Sequence, residues 1–173
     1  MNDKVKNKLI ITIAGMGMLL STLDTGIINV ALPFLENQFH TSTSVAALSV
    51  TDYTMSLAIF ILPFGYLSDC FGKLKLSLIG LLLFGIGSVL CGLANNMIAL
   101  ISFRILQGIG AAGLQATSAA LITTLIEPKH VPSALGILGI MIGLGPVLGP
   151  SVSGLFLALN LWRLIFWINV PFA

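Results

Sequence analysis

Charge is what this chain has least of. Lysine and arginine together number 8 and aspartate and glutamate 6, so charged residues make up 8% of the 173, against about 25% in soluble domains. That excludes an ordinary globular protein. The formal net charge of +2 is too small to hold a polyanion, and nucleic acid is excluded as a partner. Cysteine is scarce too. Cys70 falls in a charged turn and Cys91 in the far part of the apolar run that follows, on different levels, so no disulfide is expected. The chain has no His-Glu-x-x-His, no Gly-x-Ser-x-Gly and no phosphate or dinucleotide loop. It therefore bears no signature of an enzyme, a metal site or a cofactor.

What it has instead is length of apolar sequence. Hydrophobic residues reach 57%, gathered into runs near the roughly 20 residues that cross a bilayer as helix. The reading is an all-α integral membrane protein set in a lipid bilayer, with spans at about 9–32, 45–66, 76–94, 97–121 and 131–159. A sixth, 164–173, covers about 15 Å of a core about 30 Å thick, so the chain is expected to be part of something longer. Leu9 to Leu32 exceeds the roughly 7 to 15 apolar residues of a signal peptide and reads as a retained first span. Pro33 to Ser44 reads as a polar external loop with Glu36 and a solvated His40. Gly65 to Lys75 reads as a turn in which Gly65 and Gly72 free the backbone to reverse. Lys4, Lys6, Lys8, Lys73, Lys75 and Lys129 fall on one side and Arg163 alone on the other, which makes the amino terminus cytoplasmic.

Three charges lie inside the spans: Asp24, Asp52 and Arg104. Counted from the outer span ends, all three sit about 10 to 12 Å below the outer surface. Charges in hydrocarbon are expected to face one another or a watery cavity, so one cluster is expected. Two carboxylates beside one guanidinium would leave one carboxyl free to carry a proton. A purely structural ion pair remains the other reading. Gln107, three residues after Arg104, shares its face, beside a bare strip of Gly108, Gly110 and alanines. In the fifth span Gly145, Gly149 and Ser153 recur every four residues as a small-residue face, while Pro146 and Pro150 bend the helix.

These stretches resemble the major facilitator superfamily. Gly65, Leu67, Ser68, Asp69, Gly72 and Lys73 fit its loop between helices 2 and 3, Gly-x-Leu-(Ala/Ser)-Asp-x-x-Gly-(Arg/Lys). Arg104 to Gly110 resembles the helix 4 motif Arg-x-x-x-Gly-x-Gly, and Gly145 to Gly154 is similar to the helix 5 motif of its antiporters, with Ser153 replacing one glycine. Leu23 to Pro33 and Trp162 to Pro171 look like helix 1 and the helix 6 entry of the 14-helix drug:proton antiporters.

The resemblance implies most of the amino-terminal half of a proton-coupled multidrug exporter in the plasma membrane, inactive alone, its carboxy-terminal half missing. It implies proton coupling at Asp24, Arg104 and Asp52, and a pathway bordered by Asn29 and Gln107. Gating and packing would fall to Gly65, Asp69, Gly72, Lys73, Gly108, Gly110, Gly145, Pro146, Gly149, Pro150 and Gly154, with the span 5 face and Asp69 meeting the opposite half. Hydrophobic or cationic small molecules and the proton are the implied partners. Two readings from other classes stay open: a small homo-oligomeric channel or exporter, and a membrane fragment that transports nothing.

Overall fold

The computed structural model describes residues 3–172 and the side chains of 5–171, which leaves the Lys4 side chain and Ala173 outside the described residues. Five long helices follow one another: α1 (Asp3–Gln38), α2 (Thr43–Phe71), α3 (Lys73–Leu93), α4 (Met97–Leu125) and α5 (Val131–Ala158). A short α6 (Leu164–Trp167) and a 3₁₀ turn (Val170–Phe172) close the chain. All five long helices are apolar and long enough to cross a membrane. In hydrocarbon the backbone has no water to bond, so helices that satisfy their own N–H and C=O groups are the form such runs take.

α1, α2 and α4 outrun the spans read from the sequence, whereas α3 and α5 each end one residue short of theirs. At 1.5 Å per residue, the 36 residues of α1 measure about 54 Å and overhang a core of about 30 Å. The helix passes through Pro33, and the Asn37 amide donates to the Pro33 carbonyl at 2.8 Å. The loop between α1 and α2, read from the sequence as Pro33 to Ser44, is therefore only residues 39–42. It is tied by Thr43 Oγ1 donating to Glu36 Oε1 at 2.6 Å, and Ser42 caps α2 by accepting from the Val45 N–H.

The Gly65–Lys75 turn is likewise shorter than expected. Gly65 lies inside α2 and the reversal occupies Gly72 alone, at φ 97°, between α2 and α3. Lys73 spans that break with an ion pair to Asp69 at 2.8 Å. The sixth span is not one helix over the range read from the sequence. It is four residues of α-helix, then Ile168 and Asn169, then the 3₁₀ turn containing Pro171, which has no N–H to continue the α pattern.

Packing centres on α4, which meets α3 and α2 along most of its length and also α1; α1 in turn packs along α5. Glycines set these distances. A Cβ at Gly110 would stand 2.3 Å from the Phe84 N, and one at Gly145 would stand 2.2 Å from Thr22 Oγ1. Only a narrow strip of α5 is buried: Ala134, Leu138, Gly145, Gly149 and Ser153. The small-residue face of the fifth span is thus closed against α1 inside this half, and is not free for another. Gly65 and Gly154 have open space beside them, so neither provides a close contact here.

Candidate functional site

Where α1, α2, α3 and α4 meet the segment after α6, the bundle encloses a polar node. Arg104 and Gln107, one turn apart on the buried face of α4, are its centre. Both are fully buried, as are Asn169 and, at 2% exposure, Asp24. Arg104 Nη1 donates to Asp24 Oδ2 in a buried ion pair and to Gln107 Oε1 at 2.7 Å. Its Nε donates to the Ser49 carbonyl at 3.1 Å. Gln107 Nε2 donates to Asp24 Oδ1 at 2.9 Å and to Ser88 Oγ at 2.8 Å, while Asn169 Nδ2 donates to the same Asp24 oxygen at 3.1 Å.

The guanidinium is held from above as well. Its Cζ lies 4.1 Å from the centre of the Tyr53 ring, a cation–π geometry favoured in a dry site. Arg104 Nη2 is buried with no hydrogen-bond partner. The Tyr53 hydroxyl lies 3.2 Å from Ser21 Oγ, which accepts from Gln115 Nε2 at 2.9 Å, so the node extends one layer along α1 and α4.

Charge balance inside the node is one to one. Ser49 and Tyr53, four apart, turn one face of α2 to Arg104; Asp52 is rotated by about 100° from Tyr53 and leaves that face. It is half-buried in a shallow surface hollow with Met55, Ser56, Ile59 and Ile105. Among the described residues it makes no ion pair. The expected cluster of three charges is therefore a pair plus an outlying acid, because equal depth does not make equal azimuth. Asn29 is exposed on α1, about 140° around the helix from Asp24, and takes no part in the node. Gln107 is inside it.

Reasoning from sequence missed Asn169, Tyr53 and Ser88. The first left a signal: it is the one amide in the apolar stretch Leu164 to Phe172, and a polar side chain inside such a run calls for a buried partner. Among the described residues no three of His, Cys, Asp and Glu gather as metal ligands.

An all-α bundle of apolar helices long enough to cross a membrane defines the class as a polytopic membrane protein. The profile of the Major Facilitator Superfamily matches residues 14–173, and the chain belongs to that superfamily. It is 36% identical over 163 residues to the riboflavin transporter RibZ of Clostridioides difficile, covering 94% of this chain and 36% of that protein. It is also 36% identical over 158 residues to the multidrug resistance protein Stp of Mycobacterium tuberculosis, covering 91% of this chain and 29% of that protein. The chain thus spans about a third of the length of these relatives. In fold it is similar to the proton:xylose symporter XylE, with TM-score 0.84 and 21% identity over 98% of this chain and 43% of XylE.

Proposed function

We propose that this chain is the amino-terminal part of a proton-coupled multidrug efflux antiporter of the 14-helix branch, in the plasma membrane with its amino terminus in the cytoplasm. The observation that carries the proposal is the buried Asp24–Arg104 pair. Protonation of Asp24 would turn a neutral pair into a single buried positive charge. That is unfavourable in hydrocarbon and favours a rearrangement that reopens the site. Arg104 holds the charge, Gln107 and Asn169 hold the carboxyl, and the glycines of α4 and α5 keep the neighbouring helices close enough to move together.

Support for drugs as cargo comes from the kinship with multidrug resistance proteins. Six lysines on one side of the helix alternation support the orientation. The site of an alternating-access carrier lies between two repeats, so the 173 residues alone are expected to move nothing. A second reading, a carrier of a planar heterocyclic vitamin, is favoured by the equal identity to a riboflavin transporter.

The test is proton-driven accumulation in inverted vesicles, using this chain joined to the remaining helices of a drug-exporting relative. A hydrophobic fluorescent cation should accumulate with the gradient, and Asp24→Asn should abolish it. Accumulation that survives both collapse of the gradient and Asp24→Asn would refute the coupling. Riboflavin accumulation without cation accumulation would favour the second reading.

A further inference from the structure

Two side-chain amides hold the Asp24 carboxylate, and they differ in one respect. Gln107 is saturated. Its Nε2 donates to Asp24 Oδ1 and Ser88 Oγ, and its Oε1 accepts from Arg104 Nη1 and lies 3.7 Å from the Cys91 thiol. Turning that amide over would misplace four contacts together. Asn169 is bound on one side only: Nδ2 donates to Asp24 Oδ1 at 3.1 Å, while its own Oδ1, fully buried, accepts from nothing. An unsatisfied buried carbonyl oxygen is unfavourable and calls for a reason.

We propose that Asn169 is a positioning residue that holds Asp24 in both protonation states by turning its amide over: Nδ2 donates to the carboxylate, and Oδ1 accepts from the carboxylic acid. The inference rests on the coupling role proposed for Asp24. An ionised carboxylate only accepts, whereas the protonated acid presents one O–H. When a hydronium ion gives its proton to Asp24 Oδ1, one O–H bond of the donor breaks as the carboxyl O–H forms, a water molecule is left, the aspartate charge goes from one negative to zero, and the bond from Arg104 Nη1 to Oδ2 is still in place at this step, before any rearrangement of the helices. The new O–H then faces Nδ2, donor against donor. Half a turn about the terminal torsion, which is broad and two-fold for asparagine, exchanges Nδ2 for the waiting Oδ1.

None of the charged or titratable neighbours among the described residues is free to do the same. The charged and titratable side chains around Asp24 are Arg104 from α4, Tyr53 from α2 and Cys91 from α3. Arg104 only donates. The Tyr53 hydroxyl is engaged with Ser21 and the Cys91 thiol with Gln107. α5 contains no charged or titratable residue, and the stretch Leu164 to Phe172 brings only Asn169. The proton on Asp24 is thereby read by the segment after α6, which no other side-chain hydrogen bond ties to the node among the described residues.

Infrared difference spectroscopy between acidic and neutral pH tests this, on the full chain in lipid nanodiscs with isotope-labelled asparagine side-chain carbonyls. The expected spectrum has an acid carboxyl band that is absent in Asp24→Asn, accompanied by a label-sensitive amide band. In Asn169→Leu, which has the same shape and no polar atoms, the amide band should vanish and the carboxyl band move to the frequency of an O–H without an acceptor. In Asn169→Ser, whose hydroxyl donates and accepts, that displacement should be partly reversed. A carboxyl band with no label-sensitive change overturns the amide turn and leaves the coupling role of Asp24 standing. No Asp24-dependent band overturns both. The absence of a label-sensitive change in the unsubstituted chain needs no variant to count against the amide turn, whereas a positive band is assigned to Asn169, among the eight asparagines of the sequence, by its loss in Asn169→Leu or its change in Asn169→Ser.

Discussion

Gly108 and Tyr53 touch backbone to backbone: a Cβ on Gly108 would stand 2.5 Å from the Tyr53 carbonyl oxygen. This approach of α4 to α2 is what slides the Arg104 guanidinium under the Tyr53 ring. Gly108→Ala has no flexible side chain to displace, since the clash is with main chain. It should destabilise the bundle by about 1 to 3 kcal/mol, the usual range for overpacking. Gly136, with nothing within 4 Å, is the control: Gly136→Ala should be neutral or stabilising by roughly 0.5 to 1 kcal/mol. Thermal unfolding in detergent measures both, and equal midpoints for the two variants would show that the close contact has no energetic weight.

The Asp24–Arg104 pair should behave as a unit. Removing one member leaves the other charged, buried and unpaired, a loss of about 3 to 5 kcal/mol in proteins generally. Arg104→Gln and Asp24→Asn should each destabilise strongly, while the double variant recovers a large part of the loss. Arg104→Lys retains the charge but not the fork that bonds Asp24, Gln107 and Ser49 at once, so it should fall between wild type and Arg104→Gln. Additive losses in the double variant would mean that the two residues act independently.

At the α2–α3 break the two glycines part company. Gly72 has φ 97° and ψ 132°, a conformation L side chains rarely adopt, so Gly72→Ala should be destabilising by about 1 to 3 kcal/mol. Gly65 is helical and open, and Gly65→Ala should be harmless. Protease nicking between Phe71 and Leu74 reports local opening, and should rise in Gly72→Ala alone.

The existence of the helices was legible because an apolar run of bilayer length is itself the physical signal. Their ends were not. Pro33 and Gly65 both read as breaks, yet the Asn37 amide bonds the Pro33 carbonyl and Gly65 has no partner to demand a turn. Counting residues from a span end measures depth, and depth placed Asp24 and Arg104 on one level. It says nothing of azimuth, which depends on the neighbouring helix, and so it misplaced Asp52. Asn169 escaped notice because its value lies in Asp24, far away in the chain.

Asp52 gives the sharpest separation between depth and contact. It shares the level of the ion pair, but its side chain lies in a hollow open to the surroundings, beside Met55 and Ile59. Asp52→Asn removes no hydrogen bond or ion pair seen in the node, so its effect on stability should stay within about 0.5 kcal/mol, as for substitutions away from special contacts. Asp24→Asn, one helix away, should exceed that several-fold. The same contrast extends to coupling: in the extended chain Asp52→Asn should retain gradient-driven accumulation of a cation, and Asp24→Asn should lose it. If Asp52→Asn abolishes accumulation while abundance and unfolding are unchanged, a second acid takes part in the proton path and the one-to-one charge balance of the node is not the whole coupling site.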